Sequence, residues 1–436
     1  MTDASSPLAG GPAAGAEAAR PVNSASRVLL ASLIGTTIEF FDFYVYATAA
    51  VLVFPALFFP GEDPTTALLA SFATFSIAFF ARPLGAVVFG HFGDKVGRKA
   101  TLVAALLTMG VSTVVIGLLP TYASIGVWAP LLLALCRFGQ GFGLGGEWGG
   151  AVLIATENAP EGKKNLFAMF PQLGAPVGLF LSSGTFYILL NFMSGEDLLA
   201  WGWRLPFLGS ILLIVIGMWV RLSLTETPDF QKAIDHHERV AVPVVELFAR
   251  HKRSLFLGTF VALATFVLFY IGTAYLLSYN VKVIKMPLVE ALEIQLWGAI
   301  VFGLFIVVAG KLGDKLGRRN VLIGVTALIG VFSFSLAGLF AAGVGGILVF
   351  VTIGMALMGV TYGLIGAALA APFPTRVRYS GSSLTFNFAG IFGASLAPYI
   401  ATYLQSTYGM GYVGYYMLAA AVITLLCILA SGREEV

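Results

Sequence analysis

Five ionisable side chains interrupt stretches that are otherwise apolar: Glu39, Asp42, Arg82, Arg137 and Glu147. A charge in mid-bilayer costs several kcal/mol, so such residues mark functional sites by default. Glu39 and Asp42 are three apart and share a helix face. Neutral pairing of two arginines with three carboxylates leaves one acid over, and that acid is the group available to exchange a proton. The expected pair is Asp42 with Arg137, broken as Asp42 gains its proton so that the arginine or the rocking motion is freed. A static structural pair is the other reading of the same residues. Glu39 and Glu147 are the remaining proton-coupling candidates. Arg82 and Arg137 also suit a small anion or zwitterion, because a guanidinium holds a carboxylate through two parallel hydrogen bonds.

The elements that position these residues follow from composition. The chain has 436 residues, 58% hydrophobic and 11% charged, with mean hydropathy +0.90. Soluble domains carry about 25% charged residues, so much of this surface must face lipid. At about 20 residues per span, the apolar runs divide into twelve segments: 28–57, 66–92, 100–119, 126–156, 165–190, 201–221, 254–280, 288–310, 320–340, 344–370, 379–405 and 410–430. With a rise of about 1.5 Å per residue, Asp42 lies roughly 21 Å above the start of span 1. By the same measure Arg82 lies roughly 18 Å above Asp94, and Arg137 roughly 16 Å below the outer start of span 4. In a core of about 30 Å three charges on three spans therefore occupy similar heights, with Glu147 further toward the cytoplasm.

The Lys and Arg residues test this division. With the N-terminus inside, twenty of the 25 fall in cytoplasmic segments, while Arg204, Lys282 and Lys285 fall outside and Arg82 and Arg137 within spans. An excess of that size satisfies the positive-inside rule, which one missed span would destroy. The expected organisation is a disordered cytoplasmic tail (1–26), a six-helix bundle (27–221), a cytoplasmic linker with short helices starting near Thr227 and after Pro243 (222–253), a second six-helix bundle (254–430) and a cytoplasmic tail (431–436). The basic residues are spread over short loops, which excludes a nucleic-acid patch.

A charged loop occurs twice. Gly90-His-Phe-Gly-Asp94-Lys-Val-Gly97-Arg98-Lys99 returns 220 residues later as Gly310-Lys-Leu-Gly-Asp314-Lys-Leu-Gly317-Arg318-Arg319. Two copies of one loop imply two copies of one helical unit, the half-and-half build of a secondary transporter. The glycines let span ends pack closely, and Asp94 or Asp314 is expected to cap the following helix or pair with Arg98 or Arg318. Such a knot would lock one conformation and open when the halves rock.

The second half has no deep charge. Its polar candidates for a pocket are Tyr270, Tyr275, Tyr362 and Asn387, faced in the first half by Gln172 beside Gly174-Ala-Pro176. The glycine-rich run from Gly139 to Gly150 lies inside a span with no preceding strand, which excludes a phosphate cradle and fits close helix packing. No metal site, cofactor or enzymatic nucleophile–base set is expected.

These strings resemble the major facilitator superfamily and, within it, the metabolite:proton symporters. The resemblance rests on Glu39-Phe-Phe-Asp42-Phe43, Arg82-Pro83-Leu84-Gly85, both loop motifs, Arg137-Phe-Gly-Gln-Gly through Glu147-Trp-Gly-Gly, Trp201-Gly-Trp-Arg204-Leu-Pro-Phe, Glu226-Thr-Pro228 and Phe373-Pro-Thr-Arg-Val-Arg378. It implies proton-coupled uptake of a small organic acid or zwitterion, a shikimate, di- or tricarboxylate, proline or betaine type of solute. It also implies Asp42 and Arg137 as the proton-coupling pair and Gln172 as a substrate contact. A proton-driven efflux antiporter is the second reading. The expected partners are the solute, protons and lipid; the expected setting is a bacterial inner membrane, with both termini cytoplasmic and the chain monomeric.

Overall fold

The computed structural model describes residues 25–61, 63–96, 98–145, 147–157, 159–160, 162–223 and 243–432. Their regular structure is helical. The first half holds α1 (Ala25–Leu52), α2 (Pro64–Val96), α3 (Arg98–Leu118), α4 (Trp128–Leu144, then Trp148–Glu157), α5 (Lys164–Gln172, then Gly174–Phe192) and α6 (Arg204–Ser223). The second holds α7 (Lys252–Val283), α8 (Leu288–Leu316), α9 (Arg318–Ala341), α10 (Gly343–Ala370), α11 (Thr375–Ala389, continuing to Tyr408) and α12 (Met410–Ala430). Nine of these are long and apolar enough to cross a bilayer unbroken. The other three have local reasons to fall short. α6 meets the turn Gly195–Gly202 at 52°, the apolar part of α3 is the shorter Val103–Leu118, and α4 breaks beside Gly145. The short helix expected after Pro243 is present as Pro243–Arg250. The one expected near Thr227, like both tails, lies outside the described residues.

Sequence punctuation sets the ends. Asp63 accepts from the amides of Thr65 (3.1 Å) and Thr66 (3.0 Å), with Pro64 as the first helical residue of α2. Gly317 (φ 82°) and Gly409 (φ 94°) supply the left-handed turns between α8 and α9 and between α11 and α12. Arg204 donates to the Gly117 and Leu119 carbonyls at 2.8 and 2.7 Å, closing the end of α3.

Glycine decides how closely α2 and α4 approach. A Cβ at Gly85 would run into the Phe142 carbonyl, one at Gly141 into the Ala78 carbonyl, and one at Gly145 into the Arg82 carbonyl. The two backbones therefore touch along much of the span, as small residues permit in membranes. Between the halves, α2 packs on α11, α5 on α8 and α10, the second segment of α4 on α10 and α11, and α1 on α7. The repeated loops lie at one end of the bundle, the motif end, opposite the far end.

α7 is the least regular span. It contains π-helical turns at Ile271–Tyr275 and Tyr279–Val283. Below them the Thr424 hydroxyl of α12 enters the α7 ladder, accepting from the Ala264 amide (3.0 Å) and donating to the Phe260 carbonyl (2.8 Å). A side chain inserted between residues i and i−4 is a recognised cause of a bend.

Candidate functional site

The three mid-height charges converge as their spacing predicts. Asp42 on α1, Arg82 on α2 and Arg137 on α4 are all buried, with Arg137 fully enclosed. One ring marks the meeting point: the Arg82 guanidinium lies 4.6 Å from the Phe43 centroid and that of Arg137 4.2 Å from it. Arg137 also lies over Tyr46 (4.1 Å) and Phe75 (4.8 Å), and Arg82 over Phe79 (5.0 Å). Cation–π contacts are worth up to ~2 kcal/mol each when desolvated, which offsets part of the cost of burying two cations.

Asp42 does not touch Arg137. Its Oδ1 accepts from Ser210 on α6 at 2.5 Å and its Oδ2 from Thr113 on α3 at 3.2 Å. Arg137 donates through Nη1 to Gln140 Oε1 (3.0 Å) and through Nε to the Phe75 carbonyl (3.3 Å). Gln140 Nε2 then donates to Thr113 Oγ1 at 2.8 Å. Acid and guanidinium are thus joined through two neutral side chains rather than by an ion pair. Sequence reasoning missed Thr113, Ser210 and Gln140. Gln140 alone left a signal, being three residues after Arg137 and so on its face of α4.

Arg82 faces the second half. Tyr44 of α1, Tyr270 of α7 and Tyr362 of α10 lie within electrostatic reach of its guanidinium. Tyr270 packs on Phe75 and Phe79 at 5.7 and 5.8 Å, Tyr44 on Phe269 at 5.6 Å, and Tyr362 on Phe302 at 5.5 Å. Among the described residues, Arg82 Nε, Arg137 Nη2 and the Tyr362 hydroxyl are buried without a hydrogen-bond partner. Buried donors without acceptors are costly. Tyr44 was not expected here.

The other predicted residues occupy different positions. Gln172 accepts from Trp148 Nε1 (2.9 Å) and donates to the Tyr362 carbonyl (3.0 Å), tying α5 to α10. Asn387 donates to the Gly145 carbonyl at 3.2 Å, tying α11 to α4, and Trp148 stacks on Phe386 with centroids 3.7 Å apart. The two amides therefore hold the halves together in this conformation. Tyr275 sits toward the far end, with its hydroxyl 3.6 Å from Met410 Sδ. Glu39 and Glu147 are buried, and each has interactions of its own.

The second charged loop makes a cross-half contact that sequence reasoning assigned differently. Asp314 caps neither α9 nor Arg318. It accepts from the Asn165 amide (3.2 Å), Asn165 Nδ2 (2.9 Å) and the Leu166 amide (3.3 Å) in the first turn of α5. Three donors on a helix N-terminus outweigh one flexible ion pair at the membrane surface. The motif glycines make room: a Cβ at Gly310 would stand 3.0 Å from Met169 Sδ, and one at Gly313 3.3 Å from Asn165 Cβ. In the first copy, Gly97 and the side chains at Gly90, Asp94 and Arg98 lie outside the described residues, although α2 packs on α11.

Comparisons agree with this architecture. Residues 28–431 match the family model "Sugar (and other) transporter". The chain is 54% identical to the inner membrane metabolite transport protein YhjE of Escherichia coli K12, over 95% of this chain and 96% of that one. It is 35% identical to the shikimate transporter of the same organism (93% and 94% covered) and 34% identical to the proline/betaine transporter of Salmonella typhimurium (92% and 82%). Among solved structures, that of a D-xylose–proton symporter superposes with TM-score 0.69 at 18% identity, covering 93% of this chain and 96% of that one. Two six-helix halves in the major facilitator fold, with metabolite transport proteins rather than enzymes as relatives: the chain belongs to the sugar (and other) transporter family.

Proposed function

We propose that this transporter imports a small carboxylate-bearing metabolite, an organic acid or zwitterion, together with protons by alternating access. The observation that carries the reading is Arg82: a buried guanidinium with an unpartnered Nε, on one half, facing tyrosines of the other. A carboxylate entering the seam would take its hydrogen bonds from Arg82 and the Tyr362 hydroxyl, groups that otherwise stand unpaired. Coupling follows from charge. With Asp42 ionised, the network of Asp42, Arg82 and Arg137 carries one excess positive charge; with Asp42 protonated it carries two. A proton on Asp42 therefore favours the anion, and by reciprocity the anion favours the proton.

The excess of Lys and Arg at the motif end orients that end to the cytoplasm, which puts both termini on the cytoplasmic side of a bacterial inner membrane. The Asp314 contact with α5 then closes the inner gate, and the relatives named for shikimate and for proline/betaine bracket the solute class. The two bundles, 27–221 and 254–430, rock about the seam as a monomer.

The test is uptake into vesicles of labelled shikimate, 2-oxoglutarate, citrate, proline and betaine, with and without an inward proton gradient. Gradient-driven accumulation of one of them, lost in Asp42→Asn while unlabelled exchange survives, is the expected result. Accumulation that stays proton-driven in Asp42→Asn refutes the role given to Asp42. A gradient that expels solute instead refutes import.

A further inference from the structure

The chain of side chains between Asp42 and Arg137 has a polarity that fixes what each member does. Arginine offers only donors, so the carbonyl end of Gln140 must face Arg137 and its NH2 end must face Thr113. Gln140 therefore occupies one lone pair of Thr113 Oγ1, at 2.8 Å. The single hydroxyl proton of Thr113 then has two acceptors in reach: Asp42 Oδ2 at 3.2 Å and the Met109 carbonyl of its own helix at 3.0 Å.

From this geometry we infer that Thr113 is a positioning residue that transmits the protonation state of Asp42 through Gln140 to Arg137. The inference rests on the reading of Asp42 as the proton carrier. With Asp42 ionised, the Thr113 hydroxyl points at the carboxylate. With Asp42 protonated, the carboxyl O–H donates to Thr113, whose own proton turns to Met109. Thr113 Oγ1 then accepts from both Asp42 and Gln140 through its two lone pairs, and the second acceptance weakens the first. No proton leaves Thr113; the transported proton enters and leaves Asp42 alone.

Arg137 feels the change because Gln140 is its best-made bond. Nη2 has no partner, Nε reaches only the Phe75 carbonyl at 3.3 Å, and the remaining contacts are aromatic faces. Loosening Gln140 frees the guanidinium toward a carboxylate in the seam. The groups facing Asp42 are Thr113 from α3 and Ser210 from α6, with Gln140 and Arg137 of α4 behind them and the Tyr46–Thr74 hydrogen bond (3.0 Å) beyond.

Thr113→Val removes the hydroxyl at nearly constant volume, and Thr113→Ser keeps it. Gln140→Met, which breaks the chain one link further on, is measured alongside so that poor assembly of one variant leaves the other. Two readouts apply: proton-driven accumulation against counterflow of whichever panel compound the wild type accumulates, and the infrared C=O band of the protonated carboxyl that Asp42→Asn abolishes. The band needs no substrate. Losing one hydrogen bond to a charged group is worth roughly tenfold or more. Thr113→Val should therefore lower accumulation by about that factor with counterflow within about twofold. The Asp42 band should shift, and serine should restore both. An unmoved band with wild-type accumulation in Thr113→Val overturns the relay. If Asp42→Asn is decoupled and Thr113→Val is not, only the relay fails. If Asp42→Asn itself remains coupled, the underlying reading fails.

Discussion

Replacing Asp314 by alanine should shift the balance between conformations at the motif end. Its carboxylate accepts from two backbone amides and one side-chain amide in the first turn of α5, at 2.9–3.3 Å, and all three donors belong to the opposite half. Hydrogen bonds to charged groups contribute about 1.5–3 kcal/mol each when buried. This site is only half-buried and water replaces part of the loss, so about 2 kcal/mol in total is the working figure. That is about a 30-fold change in the closed-to-open ratio, and a wild type closed 99:1 would fall to about 3:1. The assay is a spin-label distance between Lys163→Cys, at the start of α5, and Lys311→Cys, near the end of α8. Both positions are exposed, and the background is Cys136→Ala and Cys427→Ala. A longer-distance population should appear with Asp314→Ala. A distribution identical to wild type would show that the contact contributes nothing to closure.

Arg82→Lys keeps the charge but loses the planar fork, so the solute concentration for half-maximal uptake should rise about tenfold or more. Wild-type affinity in this variant would remove Arg82 from the solute site. Gly85→Ala drives a methyl group into the Phe142 carbonyl of α4, and should cost about 2 kcal/mol of packing. Its thermal unfolding midpoint in detergent should fall, and an unchanged midpoint would mean that α2 and α4 do not meet backbone to backbone.

Twelve helices were legible because hydropathy constrains their length and survives local irregularity. The convergence of Asp42, Arg82 and Arg137 was legible for the same reason, since helical rise converts sequence offset into height. The partner of each charge was not. Pairing depends on helix rotation, which no spacing within one span reveals, so the direct Asp42–Arg137 contact that charge counting suggested is replaced by Thr113 and Gln140. Threonine and serine inside apolar spans usually bond their own helix, as Thr113 also does to Met109. Nothing in the sequence separates such a residue from one that also reaches a neighbour. Asp314 shows the opposite case. Its motif was plain in the sequence, but its acceptor role across the seam required knowing that α8 ends against the start of α5.

The Thr424 hydroxyl inside the ladder of α7 divides that span into two mechanical pieces. Below it, Lys252–Val261 is fastened to α12, where Arg253 also holds the Ala430 carbonyl at 2.6 Å. Above it lies Tyr270, beside the π-helical turns and opposite Arg82. A hydroxyl that both accepts and donates keeps both backbone groups satisfied while the helix flexes, which an unbroken ladder cannot do. The junction between the two pieces of α7 thus runs through a side chain of α12, so that a small movement at Tyr270 need not drag the whole second bundle with it.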